Sequence, residues 1–162
     1  MGGSGFVIHA LPVAGGILAL APMPGRGASY ADDLQHLHDW RPALVISMAT
    51  TPEMVSDGAE MLGSDLQDYG TRWLHLPVKD FGVPDAAVAG KWPLASRAAL
   101  AALRGGGRVL IHCRAGCGRS GMAALRLMVE AGEPPDAALA RLRGVQPRAV
   151  ETEAQRRWAQ RG

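Results

Sequence analysis

The stretch from Arg108 to Leu127 constrains this chain more than any other. Val109, Leu110 and Ile111 form a short continuous apolar run, the pattern of a strand buried on both faces, and Met122 to Val129 repeats apolar residues at helical spacing. Between them lies Cys113-x5-Arg119-Ser120, with Gly116 and Gly118 inside the loop and Gly121 just after it. A strand that turns through glycines directly into a helix gathers successive backbone N–H groups around one point, at the positive end of the helix dipole. The expected product is an anion-binding loop, built from Arg114, Ala115, Gly116, Cys117, Gly118 and Arg119, with a cysteine at its mouth.

That cysteine is placed for nucleophilic chemistry. The helix dipole, Arg114 and Arg119 all favour thiolate over thiol at Cys113. Arg119 offers a planar fork that holds two phosphoryl oxygens at once, which a lysine would not reproduce. A buried structural cysteine in a glycine-rich turn is the bland alternative. Such a turn, however, has no use for cysteine, arginine, serine and three glycines at these offsets. A nucleotide-type phosphate loop is excluded, because no Gly-x4-Gly-Lys-Ser/Thr occurs.

At 162 residues the expectation is a single domain over 6–162, preceded by a flexible leader or tag remnant, Met1 to Gly5. The chain has two cysteines, both in the loop, so no secretory disulfide framework exists and a reducing, cytoplasmic location is expected. Seventeen basic against 15 acidic residues, a net +2, announces no nucleic acid. The arginines of the C-terminal third (Arg141, Arg143, Arg148, Arg156, Arg157, Arg161) are interleaved with acids at helical spacing and read as a solvated face. The apolar run Gly15 to Ala21 is too short for a membrane span. His36 and His38 share a segment without a third ligand in view, so neither metal nor cofactor is expected. A monomer is expected.

In chain order, Phe6–Ala10 and Gly16–Leu20 suggest an edge hairpin. Tyr30–Trp40 reads as a helix capped at or near Ser29, and Ala43–Met48 as a buried strand ending in a turn over Ala49–Pro52. One helix is expected over Met54–Gln67, weakened by Gly58 and Gly63. Trp73–Val78 reads as a strand, Lys79–Asp85 as a loop, and Lys91 or Pro93 to Arg104 as a helix stopped by Gly105–Gly107. Further helices are expected near Ser120–Ala131, Pro135–Arg143 and Glu151–Gln160. Strands alternating with helices predict an α/β fold with a central, mostly parallel sheet flanked by helices. Ligands bind such sheets beyond the carboxyl ends of the strands, where the Cys113 loop and the loops after Met48 and Val78 fall.

His112, Cys113, Arg119 and Ser120 together resemble the His-Cys-x5-Arg-Ser/Thr signature of the cysteine-dependent protein phosphatases. Val78-Lys79-Asp80-Phe81-Gly82-Val83-Pro84-Asp85 is similar to the general-acid loop of the dual-specificity group, which maps the acid onto Asp80 and leaves Asp85 as a helix cap. Ala149 to Gln155 is similar to the late segment in which a glutamine positions the hydrolytic water, which maps onto Gln155. The resemblance spans roughly 43–159 and is nearest to the small group that includes the cyclin-dependent-kinase-inhibitor-associated phosphatases. It implies a cysteine-phosphatase fold and hydrolysis of phosphomonoesters through a phosphocysteine. It further implies that Ser120 donates to the thiolate and that His112 orders the loop.

The substrate implied is a phosphorylated protein or a small phosphomonoester. The chain lacks the long phosphotyrosine-recognition insertion, and Arg114 stands where lipid-directed relatives have lysine, so a phosphoinositide or other polyanion stays open. Two rivals are a sulfurtransferase or arsenate reductase, which needs no acid loop, and a catalytically silent phosphate-recognition module. Cys117 is either a small loop-filling residue or a redox partner for Cys113.

Overall fold

Five short strands carry the architecture of the chain, a computed structural model that describes residues 5–27 and 29–162. Met1 to Ser4 of the expected leader lie outside the described residues. β1 (His9–Val13) and β2 (Gly16–Ala21) form an antiparallel hairpin whose two turn residues, Ala14 and Gly15, both have positive φ, 53° and 94°. That is the turn geometry whose twist matches right-handed strands. The first strand therefore begins later than the Phe6–Ala10 expected from its apolar run, and it contains Pro12. A proline is tolerated there because β1 is the edge strand and pairs only with β2.

The remaining strands, β3 (Leu44–Ser47), β4 (Arg72–His75) and β5 (Arg108–His112), run parallel to β2 in the order β1-β2-β5-β3-β4. β5 is central, and successive residues alternate between two apolar layers. Leu18, Leu20, Leu44, Ile46, Val109 and Ile111 enter one core, whereas Ala19, Val45 and Leu110 enter the other. Burial on both faces explains why these strands read as continuous apolar runs.

One layer is covered by α1 (Tyr30–Asp39), α2 (Thr51–Ser56) and α3 (Leu62–Asp68), through Leu37, Met54, Leu62 and Leu66. Ser29 caps α1 as expected, accepting from Asp32 N. The single helix expected over Met54–Gln67 is instead two. A capping box at Thr50 and Glu53 starts α2 earlier, at Thr51, and Gly58 with φ +76° breaks the chain before α3.

The other layer is covered by α4 (Ala86–Arg104) and α5 (Gly118–Glu130), with α6 (Pro135–Val145) and α7 (Glu153–Gln160) outside them. Asp85 caps α4 through its Oδ1, which accepts from Val88 N at 2.9 Å, so α4 starts well before Lys91 and carries Pro93 within it. Its end is a Schellman motif: Gly106 N donates to Leu103 O at 2.9 Å and Gly107 N to Ala102 O at 2.8 Å. Gly106 holds φ +84°, and Gly107 O then accepts from Ile17 N, tying the turn to β2. Trp92, Ser96 and Arg126 all donate to Glu130, which locks α4 to α5.

The motif predicts a clean comparison. Gly106→Ala meets no atom within 4 Å yet forces an alanine into the left-handed region, so it should cost about 1–2 kcal/mol in urea denaturation. Gly105→Ala, at φ −81°, should cost less than half of that. Equal effects would mean that the turn is not held in this conformation.

Candidate active site

Three parallel strands end at the same rim, and the chain turns there into the Cys113 loop after β5, the Ala49–Thr50 turn after β3 and the Lys79–Asp85 loop beyond β4. Cys113 is 2 % exposed and Ser120, the third residue of α5, is fully buried beside it, with 3.3 Å between Oγ and Sγ. Either atom can donate across that distance. Among the described residues, the backbone N–H groups from Arg114 to Arg119 donate to no other protein group. They remain the donors of an anion nest. Gly116 makes the turn possible, with φ +80° and no room for a Cβ, which would come within 2.8 Å of Ala21 C and Pro22 N.

His112 is buried and neutral, with its pKa pushed down to about 4 by burial. Its two nitrogens have distinct partners. Nδ1 lies 2.9 Å from Cys113 O, which can only accept, so this nitrogen carries the proton. Nε2 then accepts from Ser47 Oγ at 2.5 Å, and Ser47 in turn accepts the indole N–H of Trp73 at 2.8 Å. The chain of donors from β4 through β3 to β5 pins the Cys113 carbonyl. His112 thus bonds to the Cys113 carbonyl at the start of the loop, and Ser47 and Trp73 are contacts that the sequence reading missed.

Arg119 is 2 % exposed, and most of its donors are already taken. Nη1 donates to Glu53 Oε1 at 2.7 Å and to Val78 O at 2.8 Å, and Nη2 donates to Glu53 Oε2 at 2.9 Å. The end-on fork expected to take phosphate is thus held by a carboxylate. What remains are the Nε–H and the second Nη2–H, a side-on pair that is also a bidentate donor. The Arg119 hydrogen bonds hold Glu53 well below the ordinary carboxylate range, at about 2. Glu53 was not singled out from the sequence, although Thr50-Thr51-Pro52-Glu53 carries a capping-box signal that places it on a helix start.

Asp80 stands over this cluster, with its carboxylate 56 % exposed and Oδ1 3.5 Å from Arg119 Nη2. Phe81 N also donates to Oδ1, at 3.1 Å. Asp85 is committed to capping α4, as expected of it. The structure therefore brings Asp80, and not Asp85, to the loop arginine.

Three other residues make contacts that the sequence does not show. The Arg114 guanidinium turns outward, donating to both carboxylate oxygens of Asp57 at 3.1 and 3.4 Å, while its backbone N–H has no protein acceptor. Gln155 is fully buried with its carbonyl accepting from Glu151 N and Thr152 N and its amide donating to Gly82 O at 3.0 Å. It caps α7 and ties that helix to the acid loop, which leaves one amide N–H for any water. The Cys117 thiol is pushed up by burial and by Cys113, and its Sγ contacts Ala115 O at 3.7 Å.

No family profile matches the chain, and no characterised protein matches it by sequence. Solved structures do match by shape. The kinase associated phosphatase with its catalytic-site cysteine substituted by serine superposes with a TM-score of 0.83 at 22 % identity, over 95 % of this chain and 92 % of that one. Tk-PTP in its active form gives 0.71 at 25 % identity, over 94 % and 95 %. PTPMT1 in complex with PI(5)P gives 0.73 at 18 % identity, over 94 % and 93 %. The chain has the dual-specificity phosphatase fold. At these identities the likeness is one of architecture, and the chemistry has to be argued from the site.

The Glu53 pair generates a prediction. Folding lowers the Glu53 pKa from 4.5 to about 2, so its contribution to stability is complete above about pH 4.5 and is lost as the pH falls toward 2. Glu53→Gln should lose on the order of 2 kcal/mol in urea denaturation at pH 7, and its deficit against wild type should shrink between pH 4.5 and 2.5. A deficit independent of pH would show that the Arg119 pair does not carry the stabilisation.

Proposed function

We propose that the chain is a cysteine-dependent phosphomonoesterase of the tyrosine/dual-specificity type, working through a phosphocysteine. The observation that carries this reading is the convergence of Cys113, Ser120, Arg119 and Asp80, from two loops, on one strand-end rim. Cys113 Sγ attacks phosphorus while the ester P–O bond breaks. Asp80 gives its proton to the leaving oxygen. The free loop N–H groups and the two remaining N–H donors of Arg119 hold the equatorial oxygens as charge builds on them.

In the second step a water attacks phosphorus, Asp80 takes its proton, and the P–S bond breaks to release phosphate. Ser120 stabilises the departing thiolate, and the spare amide N–H of Gln155 is the group that would orient the water. A sulfurtransferase or arsenate reductase has no need of Asp80 beside the loop arginine. A carboxylate beside the loop arginine, together with a cysteine and serine in contact, likewise argues against a silent phosphate-recognition module.

A phosphorylated protein is the substrate class that the likeness to the kinase associated phosphatase suggests. The likeness to PTPMT1 bound to PI(5)P supports a phosphoinositide as the second reading. Among the described residues no helix is long and apolar enough to cross a membrane.

The test separates the acid from the anion loop. Wild type should hydrolyse p-nitrophenyl phosphate, and vanadate should block it. A general acid contributes about 10²- to 10⁴-fold when the leaving group is poor. Asp80→Asn should therefore depress kcat on an alkyl phosphate by about that much and on p-nitrophenyl phosphate by far less. Asp85→Asn should leave the ratio between the two substrates unchanged. If Asp80→Asn affects both substrates equally, Asp80 is not the acid.

A further inference from the structure

Beside the Cys113 loop, two arginines from distant parts of the chain have no role in the chemistry above. Arg26 lies in the turn after β2 and Arg148 in the link between α6 and α7. Both are exposed, and among the described residues neither guanidinium has a carboxylate partner. The other basic side chains near this end differ: Arg114 is held by Asp57, and Arg143 donates to Ala149 O and Val150 O.

Their backbones are fixed against the loop itself. The Ala21–Pro22 peptide packs directly under Gly116, Met23 N donates to Arg114 O at 3.0 Å, and Arg26 N donates back to Met23 O. From the opposite direction, buried Gln146 donates to Gly116 O at 3.3 Å and accepts from Arg148 N through its Oε1. Two segments thus converge on one loop glycine, and each sends out one unpaired arginine. Both arginines act electrostatically on the Cys117 thiol, lowering its pKa against the stronger effect of burial. Glu151, whose carboxylate fills the space that a side chain at position 118 would need, acts on that thiol in the opposite sense and bounds the cationic patch.

We infer that Arg26 and Arg148 form a second anion subsite next to the Cys113 loop, so that the substrate is a compact phosphomonoester carrying a second phosphate. This rests on the phosphatase reading and narrows its substrate class. Compactness follows from the placement. The arginines flank the loop that holds the scissile group, and exposed charges act over only about 10 Å in physiological salt. A polyol or sugar bisphosphate, free or as a headgroup, keeps its two phosphates within that range. A phosphopeptide with its second phosphate on a neighbouring residue reaches further.

The experiment compares glucose bisphosphate with glucose monophosphate as competitive inhibitors of p-nitrophenyl phosphate hydrolysis. Two charge-assisted contacts should make the bisphosphate about tenfold tighter. Arg26→Ala with Arg148→Ala should bring the ratio to about one, while kcat/KM for p-nitrophenyl phosphate, which has no second anion, stays within about twofold. Raising the salt should shrink the wild-type ratio and leave the double variant's unchanged. A wild-type ratio near one, or a ratio that survives the double substitution, overturns the subsite. So does a preference confined to a doubly phosphorylated peptide.

If wild type fails to hydrolyse p-nitrophenyl phosphate at all, the phosphatase reading falls on its own. Calorimetric titration of the same two sugars into wild type and the double variant then decides the subsite separately, by the same ratio.

Discussion

A guanidinium buried to the extent of Arg119 is tolerable only if its charge is matched, and the whole active rim is arranged around that match. Glu53 supplies the countercharge from the first turn of α2, and Val78 O supplies a further acceptor from the end of the β4 segment. One side chain therefore joins α5, α2 and the start of the acid loop. Removing one partner of such a pair leaves an uncompensated buried charge, which costs more than the net worth of the intact pair. The consequence for function is geometric. With its end-on fork occupied, Arg119 cannot swing, and its remaining N–H donors are fixed in one direction before any substrate arrives.

The second organising contact is the segment from Gln146 to Gln155. Gln146 holds Gly116 O, Val150 N reaches Cys117 O at 3.4 Å, and Gln155 holds Gly82 O in the acid loop. Val150 has φ +65°, an unusual conformation for a β-branched residue, and it sits where the segment turns between these contacts. The Cys113 loop and the Asp80 loop are thus braced from the same piece of chain, with Gln155 as the brace to the second.

Much of this was legible in the sequence because it is written in short-range patterns. The strand, glycine-bearing loop and helix around Cys113 follow one another without interruption, so their geometry needs no distant partner to be inferred. The Asp85 cap and the Gly105–Gly107 stop are local chemistry in the same way. The α/β architecture and the parallel sheet followed from the alternation of apolar runs and helical stretches.

The parts that escaped are long-range or depend on burial. Glu53 is 66 residues from Arg119, and Ser47 is 65 from His112, so no spacing rule connects them. The Asp57 partner of the Arg114 guanidinium is 57 residues away and equally beyond a spacing rule. The break between α2 and α3 turned on Gly58 adopting a left-handed conformation, where its presence alone suggested only a weaker helix.

The account stands most directly on the covalent step at Cys113. Wild type mixed with a radiolabelled phosphomonoester and quenched in neutral denaturant within the first turnover should carry label on the peptide containing Cys113, and iodine, which cleaves P–S bonds, should release it. Label on a histidine or carboxylate, or product formed in the first turnover with no label on the protein, would contradict it.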